Sequence, residues 1–155
     1  MNDLKRLRDE HVNLVAIAGR LSAMTAQALP PPADELYLIR MKLASELISH
    51  LKTEDWVLYP QLMASSDRRV AETSRAFSEE MGGLAKAFGD YANRWTAYTI
   101  ESDWKGYRRE TTEILKILSR RMAREERELY PLLETAGGVA ADRPCALPGR
   151  RNLAA

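Results

Sequence analysis

Residues 50–62 read His-Leu-Lys-Thr-Glu-Asp-Trp-Val-Leu-Tyr-Pro-Gln-Leu, and residues 121–133 read Arg-Met-Ala-Arg-Glu-Glu-Arg-Glu-Leu-Tyr-Pro-Leu-Leu. Both stretches carry an acidic pair, then Leu-Tyr-Pro, then a further Leu, all at the same spacing. A weaker match at a similar offset aligns residues 9–14 with residues 79–84. Because self-similarity at a fixed offset is the mark of a repeated structural unit, the sequence predicts two related helix pairs.

The segments around these stretches have the apolar periodicity of helices. Apolar residues recur at steps of three and four in four segments, which are separated by the prolines at 30–32, by residues 65–67 and by residues 99–103. No segment shows the two-residue alternation of a strand. The pattern predicts an all-α chain, folded as an antiparallel up-down-up-down four-helix bundle with an internal two-fold repeat of helix pairs. Asp67 or Ser66, and Ser102, are suitable N-caps.

Composition narrows the class of protein. The chain has 155 residues, 23 Lys and Arg against 22 Asp and Glu, a net charge of +1, and 45% apolar residues. A balanced charge gives no electrostatic basis for binding nucleic acid or an anionic membrane surface. The longest apolar runs are too short for a signal core or a membrane span, so a cytoplasmic protein is expected.

Gly137 and Gly138 predict a helix stop, which gives a bundle over residues 1–136 and a tail over residues 137–155.

Ionisable residues interrupt the apolar stripes. The only two histidines, His11 and His50, lie on these stripes together with Glu54 and Glu125. His50 and Glu54 are four residues apart and therefore share a helix face. Glu125 is the repeat partner of Glu54, and His11 comes from a further helix. Two imidazoles and two carboxylates favour Fe, Mn or Zn over Ca or Mg, so these four residues are the predicted metal ligands.

The repeat also shows which ligands are missing. Met81 occupies the position equivalent to His11, and Arg121 occupies the position equivalent to His50. A guanidinium is permanently charged and a thioether is a weak ligand for a hard divalent ion, so neither replaces a histidine. The sequence therefore contains one complete ligand set beside a substituted one, with Arg121 and Met81 as site-modifying residues.

These residues resemble the hemerythrin-like family, the HHE cation-binding domain, over residues 4–134. The resemblance implies a four-helix bundle holding a di-iron centre bridged by two carboxylates, used for dioxygen binding, for iron or oxygen sensing, or in nitric-oxide and iron-sulfur stress responses. Glu54 and Glu125 match the bridging carboxylates, and His11 and His50 match the terminal ligands of one iron. Two positions depart from the family pattern. Met81 stands where the family has a third-helix histidine, and Arg121 where it has the histidine of the last His-x-x-x-Glu motif.

Three hypotheses about function stay open. The first is a module that holds a single Fe, Mn or Zn ion for sensing or metal handling rather than dioxygen transport, and that is not an enzyme. The second is a metal-free regulatory or protein-interaction bundle in which Arg121 pairs with both carboxylates. The third is a metal-dependent oxidoreductase with a rebuilt two-metal site. A protein partner is possible under any of them, and the sequence leaves the oligomeric state open.

Tyr59 and Tyr130 follow the two carboxylates in the repeated Leu-Tyr-Pro motif. We expect both rings to pack in the core rather than to hydrogen-bond to the centre.

Overall fold

The computed structural model describes the backbone of residues 2–140 and the side chains of residues 3–135. Within that part every regular element is helical, and no strand is present. Eight α-helices and two π-helical turns follow one another along the chain: α1 (Asn2–Thr25), α2 (Ala33–Thr53), the first π-turn (Glu54–Leu58), α3 (Tyr59–Met63), α4 (Arg68–Met81), α5 (Leu84–Arg94), α6 (Ala97–Ser102), α7 (Trp104–Arg124), the second π-turn (Glu125–Leu129) and α8 (Tyr130–Ala140).

These elements join into longer rods. Helices α2 and α3 are continuous through the first π-turn, and α7 and α8 are continuous through the second. Helix α1 packs against α2 and α7, α5 packs against α7 and α2, and α4 packs against α3. The predicted all-α class is therefore confirmed, and the two copies of the sequence repeat share the same local structure.

The helix boundaries follow local chemistry. The Asp67 side chain accepts hydrogen bonds from the backbone N–H groups of Arg69 and Val70, so the predicted N-cap of α4 is confirmed. The predicted third segment is two helices, because α4 ends at Met81 and α5 begins at Leu84. Gly82 occupies this break, where a Cβ atom would collide with the carbonyl oxygen of Ser78.

Two expectations about the second half were wrong. Of the break predicted at residues 99–103, all but Asp103 belong to helix α6. Asp103 rather than Ser102 caps α7, by accepting a hydrogen bond from the Gly106 N–H. Helix α8 continues through Gly137 and Gly138 to Ala140, so the predicted stop is absent. The division at residue 136 stays a prediction, because residues 141–155 lie outside the described part of the chain.

The core consists of two apolar clusters with a polar layer between them. The larger cluster includes Leu14 of α1, Leu51 of α2 and Met122 of α7. The smaller one consists of Leu7, Tyr59, Phe77, Leu129 and Tyr130. His11, Glu54 and Glu125 lie along the chain between members of the two clusters, and all three are buried. Since burying polar or charged groups costs free energy unless they are paired, this layer requires a specific explanation.

None of the helices in residues 2–140 has both the length and the apolar character that crossing a bilayer requires.

Candidate metal centre

The two π-turns position the carboxylates of the centre. Glu54 begins the first π-turn and Glu125 begins the second. In each, the backbone N–H five residues later donates to the glutamate carbonyl, from Tyr59 to Glu54 and from Tyr130 to Glu125. The proline after each tyrosine lacks an N–H, and so cannot continue the regular α-helical hydrogen bonding. Single π-turns inside helices are frequent at functional sites.

Four side chains converge between the apolar clusters. Each of His11, His50, Glu54 and Glu125 contributes one atom to a group whose members all lie within 4.8 Å of one another. The two Nε2 atoms lie 3.1 Å apart. Ligand atoms of a tetrahedral ion with bonds of about 2.1 Å stand about 3.4 Å apart. The structure thus brings together all four predicted ligands, at separations that suit one small ion.

Both imidazoles are fixed by carboxylates on their outer side. His50 Nδ1 lies 2.6 Å from Glu10 Oε2, and His11 Nδ1 lies 2.8 Å from Glu126 Oε1. Because a carboxylate accepts hydrogen bonds, each Nδ1 carries the proton and donates it. In the neutral rings the Nε2 atoms then carry lone pairs, which face each other at 3.1 Å. Two facing lone pairs repel, so a cation or a proton is needed between them.

Arg121 lies on the opposite side of the carboxylates. Its Nε donates to Glu125 Oε1 at 2.9 Å, and its Nη2 donates to Glu54 Oε2 and to Asp55 Oδ1, both at 2.8 Å. Each buried glutamate therefore gives one oxygen to the guanidinium and leaves the other facing the imidazoles. Glu54 Oε1 lies 3.3 Å from His50 Nε2, and Glu125 Oε2 lies 3.3 Å from His11 Nε2.

One oxygen of this layer lacks a hydrogen bond. Glu125 Oε2 is buried and accepts none from the described residues, although it lies close to His11 Nε2. The fixed tautomer of His11 explains this, since its Nε2 has no proton to donate. Buried polar atoms are satisfied in the great majority of cases. An unsatisfied carboxylate oxygen that faces the lone pair of His11 Nε2 is suited to a metal ion, so the residues present fit one.

The electrostatics distinguish the two carboxylates. Burial lowers the pKa of His50, but its hydrogen bond to Glu54 and the charge of that residue outweigh burial and raise the pKa to about 9. Burial favours the neutral form of Glu54, yet His50 and Arg121 lower its pKa to about 2. For Glu125, burial and the negative charge of Glu54 raise the pKa above its ordinary value. A cation beside the imidazoles would stabilise the ionised form of Glu125.

The two tyrosines hydrogen-bond across the repeat, contrary to the expectation that they only pack. Tyr59, in the first half, donates to Glu125 Oε1 at 2.7 Å. Tyr130, in the second half, donates to Glu54 Oε1 at 2.8 Å. Burial raises the pKa of both hydroxyls, so each stays a hydrogen-bond donor in the absence of a metal ion. Each half of the chain thus orients the carboxylate of the other.

Met81 modifies the site through its backbone. Its carbonyl oxygen accepts a hydrogen bond from Arg121 Nη1 at 3.2 Å, and its side chain packs against the smaller apolar cluster. The neighbouring Glu80 pairs with Arg120 and Arg124 on the surface and is not directed at the centre. The predicted substitution of a ligand by a packing residue agrees with this arrangement.

Sequence reasoning missed the residues that support the ligands. Glu10 and Glu126 hold the imidazoles, and Asp55 holds Arg121. The sequence repeat could have identified two of them, because Asp55 and Glu126 are equivalent members of the repeated acidic pair. Outer-sphere carboxylates of this kind orient metal-binding histidines and raise their basicity.

The comparison with known families agrees with this centre. A family model described as the hemerythrin HHE cation binding domain matches residues 2–133. The chain belongs to the hemerythrin HHE family. No curated protein and no solved structure matches it significantly. The match includes every element that contributes to the polar layer, so the resemblance seen in the sequence is confirmed. Met81 and Arg121 are the two positions at which the sequence resemblance predicted histidines.

Proposed function

We propose that this hemerythrin-like domain binds a single non-haem metal ion, for sensing or metal handling rather than dioxygen transport. The observation that carries the proposal is the pair of imidazoles, whose Nε2 atoms face each other at 3.1 Å while both Nδ1 atoms are engaged by carboxylates. His11, His50, Glu54 and Glu125 are the proposed ligands. Their two nitrogens and two oxygens suit Fe, Mn or Zn.

The number of ions follows from Arg121. Its guanidinium already binds one oxygen of each bridging carboxylate, on the side where the family pattern has a second ion. The fully buried charges are two carboxylates and one guanidinium, a total of −1 with neutral histidines. One divalent ion brings this total to +1, whereas a second would bring it to +3. Charge and space therefore support one ion per chain.

The proposed arrangement of the rods is antiparallel, with up-down-up-down order and a two-fold helix-pair repeat. Contacts at the two ends of the helices support it. Arg8, in the first third of α1, donates to Glu126 beyond the end of α7, whereas the carbonyl oxygen of Thr25, at the end of α1, accepts from Arg108 near the start of α7. Such crossed pairing is expected of neighbouring helices that run in opposite directions.

A metal-free regulatory or interaction module is the second candidate. It is favoured by the guanidinium, which already offsets one of the two buried carboxylate charges. A single proton on His50 Nε2 would then remove the lone-pair repulsion and bring the net charge of the centre to zero. The raised pKa of His50 supports such a protonated state in the absence of metal.

A two-metal oxidoreductase has less support. It requires ligands on the side of the carboxylates that Arg121 occupies, and the described residues form one potential metal-binding group of His, Cys, Asp and Glu, which lies on the other side.

Metal reconstitution tests the proposal. The chelator-treated protein is incubated separately with Fe(II), Mn(II) and Zn(II), desalted, and analysed for metal content. We expect close to one ion per chain for at least one metal and a higher melting temperature, because a ligand that binds only the folded state stabilises it. The variant H50Q should lose the ion, whereas K52Q, with an exposed side chain two residues along α2, should retain it. Less than about 0.2 ions per chain with every metal would support the metal-free candidate instead.

A further inference from the structure

Tyr130 lies against the proposed ligands on the imidazole side. Its hydroxyl oxygen is 3.3 Å from His11 Nε2 and 2.8 Å from Glu54 Oε1. The first separation equals the 3.3 Å between each imidazole Nε2 and its nearer carboxylate oxygen, and the second is the length of a hydrogen bond. The side chain is fully buried, and its ring stacks on the His11 imidazole with 5.4 Å between centroids and 14° between planes. The hydroxyl therefore has a fixed position at the edge of the site.

Tyr59, its equivalent in the repeat, lies on the other side. Its hydroxyl donates to Glu125 Oε1, the oxygen that also accepts from Arg121 Nε. The guanidinium carbon of Arg121 lies 5.5 Å from the centroid of the Tyr59 ring. The two tyrosines thus make equivalent hydrogen bonds to carboxylates, but only Tyr130 is next to the imidazoles.

The net charge of the fully buried groups indicates which charge state of the ion favours an ionised Tyr130. With neutral histidines and a neutral phenol, a divalent ion leaves the fully buried groups at +1, and a trivalent ion would leave them at +2. A phenolate at Tyr130 returns the trivalent form to +1, which is the charge of the divalent form. An ionised oxygen ligand is also the type that a hard trivalent cation prefers.

We propose that Tyr130 is a fifth ligand at this site, and that it binds as a phenolate when the ion is trivalent. This inference rests on the proposed function. A metal–oxygen bond forms and the O–H bond of Tyr130 breaks, with the proton passing to the buffer. The electron pair of that bond remains on the oxygen, and the metal is neither oxidised nor reduced.

Optical spectroscopy of ferric protein tests the assignment. Chelator-treated full-length chain is loaded with Fe(III) supplied as a soluble chelate, desalted, and analysed for iron and visible absorption. Phenolate bound to Fe(III) gives a charge-transfer band and phenolate modes in the resonance Raman spectrum. We expect both in the wild type, with about one more proton released per bound ion than in Y130F. Zn(II)-loaded protein is the blank, because Zn(II) has no redox or d-electron transitions.

Two matched variants separate ligation from hydrogen bonding. Y130F and Y59F each remove one hydroxyl that donates to a buried glutamate. We expect Y130F to lose the band at saturating iron and Y59F to keep it. A wild type that binds iron without the band, or a band that survives in Y130F, overturns the assignment and leaves the proposed metal site intact. Failure to bind any ion overturns both. If Y130F does not fold, the spectrum of Y59F still decides, because a band that persists without the Tyr59 hydroxyl supports Tyr130 and a band that is lost overturns the assignment.

Discussion

The two sides of the buried centre contain the same carboxylates but different cations. On the side of α1 and α2, Glu54 and Glu125 face two imidazoles whose nitrogens leave room for a small ion. On the side of α7, the same carboxylates bind the guanidinium of Arg121, which is permanently charged and covalently part of the chain. One side requires an added cation or proton, and the other contains its own.

This difference shows that one repeated pattern can pair its buried carboxylates in two ways. A guanidinium supplies positive charge and hydrogen bonds in the position of an ion, so the carboxylates there remain paired. Met81 contributes a carbonyl oxygen in place of a side-chain ligand. On the arginine side the carboxylates are therefore paired without an added ion, whereas on the histidine side the two facing nitrogens are not.

The largest effect is expected from removing the built-in cation. The variant R121L leaves Glu54 and Glu125 buried without their partner, and breaking a buried ion pair costs about 3–5 kcal/mol. We expect a loss of that size in the free energy of unfolding of metal-free protein, measured by denaturant titration. The control is R120L, since Arg120 is exposed and its ion pair with Glu80 lies on the surface. Equal losses in the two variants would contradict the role given to Arg121.

Replacing Met81 and Arg121 by histidine should increase the number of metal ions bound per chain. In the double variant M81H/R121H, each half of the repeat has the same ligand types, so bound iron should rise toward two ions per chain. Elemental analysis after loading measures this directly. The single variant M81H is the control, because Arg121 still occupies the second position. A double variant that holds no more iron than the wild type would show that the space beside Met81 does not suit an ion.

A smaller effect is expected from the outer carboxylate of His11. The variant E126Q retains the shape of the side chain and removes the anionic acceptor of the Nδ1 proton. Loss of such a partner typically lowers metal affinity about 10–100-fold. A competition titration against a chelator gives the ratio. E134Q is the matched control, because Glu134 binds the same Arg8 but does not touch His11. Equal affinities in the two variants would argue against the role of Glu126.

The smallest effect is expected at the equivalent position on the arginine side. Asp55 corresponds to Glu126 in the repeat but accepts from Arg121 instead of a histidine. Because its side chain is partly exposed, D55N should lower the free energy of unfolding by about 1 kcal/mol. Its metal affinity should stay near the wild-type value. A larger fall in affinity for D55N than for E126Q would reverse the assignment of the two sides.

The sequence was sufficient to predict the helical class and the convergence of the four proposed ligands. The reason is that the repeat fixes which faces of the rods are buried, and His50 and Glu54 share one of these faces. The partners of the imidazoles were not predictable. Whether Glu10 contacts a histidine or solvent depends on how α1 and α2 are rotated against each other, which apolar periodicity alone does not determine. The same limit applies to Tyr59. A ring that only packs and a ring that also hydrogen-bonds are equally buried, so burial predicted from the sequence does not distinguish them.

Local signals at the helix ends were less reliable. Asp67 acts as the predicted cap because its side chain reaches two free N–H groups. Gly137 and Gly138, in contrast, lie within α8, since glycine permits a helix stop but does not enforce one. Thr96 and Thr99 form a reciprocal capping pair at the start of α6, which supports a short helix that extends into the break predicted at residues 99–103.

The π-turns have a consequence for how this motif tolerates insertions and deletions. Along a regular α-helix, residues five apart point about 140° away from each other. Glu54 and Tyr59 are five apart, as are Glu125 and Tyr130, yet all four are buried. The wider turn compensates for one extra residue, so carboxylate and phenol share a face. Deleting a single residue from 55–58 would remove that extra residue and leave Glu and Tyr four apart on a regular α-turn, about 40° from each other, so the helix beyond would keep its phase. A deletion in the regular part of α2 would instead turn everything that follows by about 100°.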